Sequence, residues 1–177
     1  NAFFVKPEHV LKALHGAKSG AVEEGNVGGG TGMLCYEFKG GTGTSSRKIP
    51  DKLGGWTVGA LAQTNFGRRF QLTIAGAPIG QHLKDDTIWT SGENPFKQDE
   101  GSLIIVLATD APLLPHQLKR LAKRASLGMA RTGSLGGNGS GDIFIAFSIA
   151  NRDAALGDQN GLASINALSN NFIDPIL

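Results

Sequence analysis

Cysteine is almost missing from this 177-residue chain: Cys35 stands alone. No internal disulfide can staple the fold, so its stability has to come from a packed core. A lone thiol suits a reducing, cytoplasmic setting, with an exported, periplasmic protein left open. Aromatic residues make up only 7% of the chain and the formal net charge is +2, with no long basic block. Both features argue against nucleic acid, which needs stacking platforms or a concentrated positive surface. Apolar runs stop well short of the ~18 residues of a membrane span, and the first residues lack the basic-then-apolar layout of a signal peptide. A membrane partner is therefore not expected.

Motifs are absent too. Neither glycine cluster, residues 28–32 or 40–43, completes GxGxxG, and GxxxxGK[ST] does not occur. His9, His15, His82 and His116 are scattered without metal-ligand spacing, and GxSxG is missing. No metal or organic cofactor is expected. Ser45-Ser46-Arg47-Lys48 contains an SxxK, a pattern too short to carry a lactamase reading. Lys119, Arg120, Lys123, Arg124 and Arg131 share a helical stretch whose late cations complement the helix dipole, and a solvated face explains them.

What is present is glycine, 26 residues in clusters between apolar runs, with 40% hydrophobic content overall. This composition describes one loop-rich globular domain over residues 1–177. The start at Asn1 and the apolar last residues suggest a piece of a longer chain. Apolar spacing predicts helices over about 7–18, 114–128 and 162–168, and strands over 34–38, 56–64, 70–75, 102–110 and 143–149. The strands 56–64 and 70–75 read as a hairpin turning through Asn65, and residues 39–47 as a glycine-rich turn. Residues 81–101 have no periodicity and read as an exposed linker. Mixed helices and strands favour an α/β or α+β layered sandwich.

The chain is organised around Gly101-Ser102 and the β-branched run that follows, Leu103 to Thr109. Cleavage before Ser102 would put a hydroxyl and a free α-amine on the first residue of a core strand. Such an amine titrates near ~7.7 and can take the hydroxyl proton, activating a weak nucleophile. A plain Gly-Ser turn into a strand explains the same residues. Further on, Asn138-Gly139-Ser140-Gly141-Asp142 leads into a strand, and Ser140 and Asp142, two apart, point to one side of an extended backbone. Asn65, at a strand end, offers an amide N–H for a developing oxyanion; a turn asparagine before Gly67 is the alternative.

The run Gly101-Ser102-Leu103-Ile104-Ile105-Val106-Leu107-Ala108-Thr109-Asp110-Ala111-Pro112, with Asn138-Gly139-Ser140-Gly141-Asp142, resembles the DmpA-type family. These are self-processing L-aminopeptidase/D-esterase enzymes that include the β-peptidyl aminopeptidases. Glu24-Gly25-Asn26-Val27-Gly28-Gly29-Gly30-Thr31-Gly32-Met33 and Phe38-Lys39-Gly40-Gly41 are similar to its glycine-rich segments. The resemblance implies an αββα sandwich with N-terminal-nucleophile chemistry, in which residues 1–101 end an α chain and residues 102–177 begin a β chain. It implies Ser102 as nucleophile, Gly101-Ser102 as the cleaved bond, Ser140 as second active-site serine and Asn65 as oxyanion donor. Asp142 falls where some members carry Glu. Short peptides, amides or esters are the implied substrates, and a homo-oligomer of αβ units the implied assembly. Two alternatives stay open: an ornithine-acetyltransferase-like acyltransferase, for which Ser102 in place of Thr is unfavourable, and a non-catalytic assembly piece.

Overall fold

The computed structural model describes residues 3–83 and 101–177. Of the expected linker, residues 84–100 lie outside the described residues. Six strands and two α-helices are assigned among the described residues: α1 (Pro7–His15), β1 (Leu34–Cys35), β2 (Phe38–Lys39), β3 (Thr42–Lys48), β4 (Thr57–Asn65), β5 (Ser102–Thr109), α2 (Pro115–Arg131) and β6 (Ile143–Ser148).

The four longer strands form one sheet in the order β3-β4-β5-β6. β4 runs antiparallel to both β3 and β5, whereas β5 and β6 are parallel and joined through α2. A parallel pair needs such a crossover, and the helix covers the sheet it spans. Leu103 and Leu107 are buried in β5 while Ile104, between them in the alternation, is 40% exposed. In β6, Phe144 and Ala146 pack into the core, and Ile143, Ile145 and Phe147 face outward. One face of the sheet thus lies under α2, with Leu121 and Ala125 of the helix packed against Leu107, Ala111 and Ile173. These residues make one helix layer and one sheet layer of the expected sandwich. The opposite face of the sheet is the side on which Ser102 begins β5.

α2 starts with Pro115 at its first turn, and Gln117 Oε1 accepts the Leu114 N–H at 2.9 Å. The helix continues past Gly128, the expected stop, to Arg131, and the chain turns out at Gly133 with φ +102°. A side chain at Gly133 would strike the Gln71 carbonyl, so the close approach as well as the left-handed φ requires glycine. α1 is shorter than expected and buries none of its residues; Val10, Leu11 and Leu14 are exposed.

Four expectations need correction. β4 does not turn into a strand over 70–75; its partners are β3 and β5. Residues 69–71 form a 3-10 turn instead, and the Thr73 N–H is taken by the Thr132 carbonyl at the end of α2. The glycine-rich turn over 39–47 is mostly β3, whose polar Thr-Gly-Thr-Ser-Ser-Arg-Lys sequence hid an edge strand. The expected strand over 34–38 is two short strands paired Leu34↔Lys39 and Cys35↔Phe38 around a two-residue turn. Residues 162–168 are not helical, because their backbone groups are committed elsewhere. Asn166 exchanges hydrogen bonds with the Asn151 side chain, and Leu168 donates to the Pro112 carbonyl and accepts from Gln117 Nε2.

Two outcomes follow from this packing. Leu121→Ala, which empties a position only 3% exposed in the core, should cost about 2–5 kcal/mol in denaturant unfolding, while Leu127→Ala on the outer side of the same helix stays within about 0.5 kcal/mol. Burial pushes the Cys35 thiol up, against a smaller opposing effect of a Thr64 hydrogen bond. Its thiolate fraction at neutral pH is therefore depressed in the fold, and alkylation followed by intact mass should be much slower in native than in denatured protein.

Candidate active site

Ser102 opens β5, the second strand from the sheet edge, and is half-buried. Its register partner across the antiparallel pair is Asn65, the last residue of β4. Directly opposed residues share a face, with Cβ atoms about 4.5–5.5 Å apart, so the hydroxyl and the amide project from one end of the sheet on the face away from α2. The residue before the serine has no room for a side chain: a Cβ on Gly101 would strike the Asn65 carbonyl oxygen and come to 2.6 Å from Phe66 Cα. Glycine lets the chain enter the sheet pressed against the end of β4.

The segment before β6 reaches the same corner. Gly141 N–H donates to Ser102 Oγ at 3.1 Å. Ser140 Oγ donates to Asp142 Oδ1 at 2.7 Å, and the same oxygen accepts the Leu103 N–H at 3.0 Å. Asp142 thereby anchors both Ser140 and the backbone just after Ser102, with charge-assisted bonds that are stronger than neutral ones. A Cβ on Gly141 would lie 3.1 Å from Ser102 Oγ, a tight contact. Parallel pairing from Ile104↔Ile143 onward is what carries the 140–142 segment to the head of β5.

Asn65 is held from the other side. Its Oδ1 accepts the Leu34 N–H at 3.2 Å. That contact identifies the oxygen end of the amide and leaves the NH2 end as a donor without a partner among the described residues. Leu34 belongs to the small β1-β2 hairpin, which clasps the residue after Asn65: Phe66 N–H donates to Leu34 O at 3.1 Å and Tyr36 N–H to Phe66 O at 2.9 Å. Tyr36 and Phe66 pack edge to face with ring centroids 5.1 Å apart. The two turn residues, Tyr36 and Glu37, have φ of 51° and 63°. A two-residue hairpin with both central φ positive is the type I′ turn that Asn-Gly prefers; each non-glycine residue there costs on the order of 1–3 kcal/mol. Arg69, 4% exposed, binds both turn carbonyls, Nε to Tyr36 O at 3.0 Å and Nη2 to Glu37 O at 2.8 Å, and its guanidinium carbon lies 3.5 Å above the centre of the Phe38 ring.

The structure therefore brings Gly101, Ser102, Ser140, Asp142 and Asn65 to one corner of the sheet, from the end of β4, the start of β5 and the segment before β6. What the residues alone did not show is the backbone contribution, Gly141 N–H on Ser102 and Leu34 N–H on Asn65, or the role of Arg69. An arginine pair after Asn-Phe-Gly was the available signal, and charge reads by default as solvent-facing. Nearby, the glycine-rich loop at 25–32 is pinned to β3, with Gly25 and Thr42 exchanging backbone hydrogen bonds and Glu24 accepting from Thr44. The Thr44 hydroxyl, and after it the Thr44 N–H, hold the Glu24 carboxyl below the usual carboxylate range. Among the described residues no group of three or more His, Cys, Asp or Glu gathers as a metal site, and no helix is long and apolar enough to cross a membrane.

The whole chain, residues 1–177, matches Peptidase family S58. Beta-peptidyl aminopeptidase BapA of Sphingosinicella microcystinivorans is 55% identical over 159 residues, which are 85% of this chain and 40% of that protein. BapA of Sphingosinicella xenopeptidilytica is 53% identical over 147 residues, 80% of this chain and 37% of that one. Among solved structures, the L-aminopeptidase D-Ala-esterase/amidase of Ochrobactrum anthropi superposes with a TM-score of 0.79 at 50% identity, over 99% of this chain and 46% of that chain. It is described as a prototype for the serine aminopeptidases and a new variant of the Ntn hydrolase fold. A Burkholderia sp. beta-aminopeptidase matches with a TM-score of 0.78 at 46% identity, over 96% of this chain and 46% of that one. The chain spans less than half the length of these relatives. A likeness this strong, running through both sides of the Gly101-Ser102 junction, means that the chain belongs to peptidase family S58, whose solved relatives have the Ntn hydrolase fold.

Proposed function

We propose that this chain carries the nucleophile of a self-processing serine aminopeptidase, which removes the N-terminal residue of short peptides, amides or esters. The observation that carries this reading is the convergence on Ser102: Asn65 opposite it in register, Gly141 N–H on its hydroxyl, and the Ser140-Asp142 pair beside it.

Two acyl transfers use the one site. In the continuous chain the Ser102 nitrogen is a peptide amide without basicity. Ser102 Oγ attacks the Gly101 carbonyl, the C–N bond breaks, and the acyl group moves to oxygen while the nitrogen becomes an amine. Water hydrolyses this ester, leaving a carboxylate on Gly101 and the hydroxyl and free amine on Ser102. The amine then takes the hydroxyl proton as Oγ attacks the first carbonyl of a substrate. The Asn65 NH2 donates to the tetrahedral oxyanion, and the proton returns to the leaving amine. Water releases the acyl group and regenerates Ser102. Ser140, its O–H donating to Asp142, presents oxygen lone pairs to an N–H of the Ser102 amine and keeps the nitrogen lone pair turned to the hydroxyl.

In this reading residues 1–101 close an α part and residues 102–177 open a β part, and the parts stay together through the β4-β5 pairing. The single cysteine supports a cytoplasmic setting, and a homo-oligomer of αβ units is the assembly that the reading entails.

The primary test is the intact mass under denaturing conditions, with the flanking sequence present. Two fragments meeting between Gly101 and Ser102 are expected, and Ser102→Ala should give one uncut chain; a cut Ser102→Ala protein would refute the scheme. Gly101→Ala should also block or strongly slow the cut, because the added Cβ forces the chain off the Asn65 carbonyl. Asn65→Asp retains an oxygen for Leu34 but replaces the donor by an acceptor, so turnover should fall roughly 10²–10³-fold with the fold kept. Asp142→Asn should slow turnover more than it lowers the melting temperature, and unchanged turnover would remove Asp142 from the mechanism.

A further inference from the structure

The β1-β2 turn presents a contradiction between local preference and observed geometry. Tyr36-Glu37 occupies left-handed φ at both positions, where neither residue type is favoured. Yet this hairpin is the one that touches Asn65. Something outside the turn has to hold it, and its contacts identify Arg69. Its guanidinium fork takes the carbonyl oxygens of both left-handed residues, its Nη1 reaches the Leu83 carbonyl at 3.5 Å, and its flat face rests on Phe38, the residue after the turn. The neighbouring Arg68 pairs with Glu37 at 3.4 Å from a half-buried position. A fork that binds two carbonyls and stacks on a ring is the geometry in which lysine cannot replace arginine.

From the turn, the connection to chemistry is short. The turn sets where Leu34 lies, Leu34 N–H fixes the Asn65 oxygen, and that fixes which way the Asn65 NH2 faces. We propose that Arg69 is a positioning residue for the Asn65 amide, acting by clamping the Tyr36-Glu37 turn in its left-handed form. The inference rests on the aminopeptidase reading for its catalytic consequence and on the hairpin geometry alone for its structural one. Arg69 touches neither Ser102 nor the substrate carbonyl; it acts through the turn and Leu34.

The test uses Arg69→Lys in the protein with its flanking sequence, against the unsubstituted protein. Amide hydrogen exchange at Leu34 should accelerate about ten-fold or more in the variant, while exchange at Leu107 in the centre of the sheet is unchanged. The kcat per cleaved site should fall about ten-fold or more with KM within about two-fold, since an oxyanion donor acts in the transition state. Adding Glu37→Gly, which accepts the left-handed conformation unaided, should restore both Leu34 protection and kcat towards the unsubstituted values. Unchanged exchange at Leu34 would overturn the proposal, as would a uniform loss of protection across the sheet or a failure of Glu37→Gly to rescue. If Arg69→Lys alone does not fold, the double variant decides: recovery of fold and Leu34 protection supports the clamp, and no recovery overturns it. An unsubstituted protein that neither cuts itself nor hydrolyses peptide amides would count against the aminopeptidase reading instead, and Leu34 exchange would still uphold or overturn the clamp.

Discussion

The register between β4 and β5 is the constraint on which the site depends. A slip of one residue would turn Ser102 to the α2 face and Leu103 out of the core, because side chains alternate. The pairing is pinned at both ends. Far from the nucleophile, Thr109 Oγ1 donates to the Thr57 carbonyl at 2.7 Å and Thr57 N–H donates to Asp110 at 2.6 Å. At the near end, Gly101 lies against the Asn65 carbonyl, where any side chain would collide. Between these pins Leu103 and Leu107 are buried on one face, so a slip would expose two leucines as well as misplace the serine.

The same pairing would keep the site together if the chain were cut before Ser102. β4 lies before Gly101 and β5 after it, and their ladder runs from Val58↔Thr109 to Asn65↔Ser102. A cut before Ser102 removes a covalent link but none of those hydrogen bonds. Two further bonds tie the new terminus to the other side of the sheet, Asp142 to the Leu103 N–H and Gly141 N–H to Ser102 Oγ. Ser102 is thus held by its neighbours and not by its preceding residue, as a terminal nucleophile must be if its position is to survive the loss of that residue.

Legibility in the sequence followed how each segment is stabilised. β5 and α2 were readable because their own apolar spacing packs them, Leu103 and Leu107 in one and Leu121 and Ala125 in the other. β3 was not, since a polar edge strand has no apolar alternation to show. Residues 70–75 and 162–168 misled because their apolar content is real but their backbone groups bond to distant partners, Thr132 in one case and Asn151, Pro112 and Gln117 in the other. The site divides the same way. Ser102, Ser140 and Asp142 sit at junctions between polar loops and apolar strands, where side-chain chemistry is visible in the sequence. Asn65 was readable as a polar residue at a strand end, but its opposition to Ser102 is a fact of pairing. Arg69 was not readable, because only a three-dimensional turn creates two carbonyls for its fork.

The short reach of Asp142 decides which groups it can serve. One carboxylate oxygen already serves both Ser140 Oγ and Leu103 N–H, so the carboxylate is drawn back to the strand backbone and meets the nucleophile's surroundings through Ser140. Because the Ser140 hydroxyl donates to Asp142, its oxygen is left to other neighbours as an acceptor only. The first duty of Asp142 is therefore mechanical: it holds the backbone after Ser102 in place, across the ladder from Asn65.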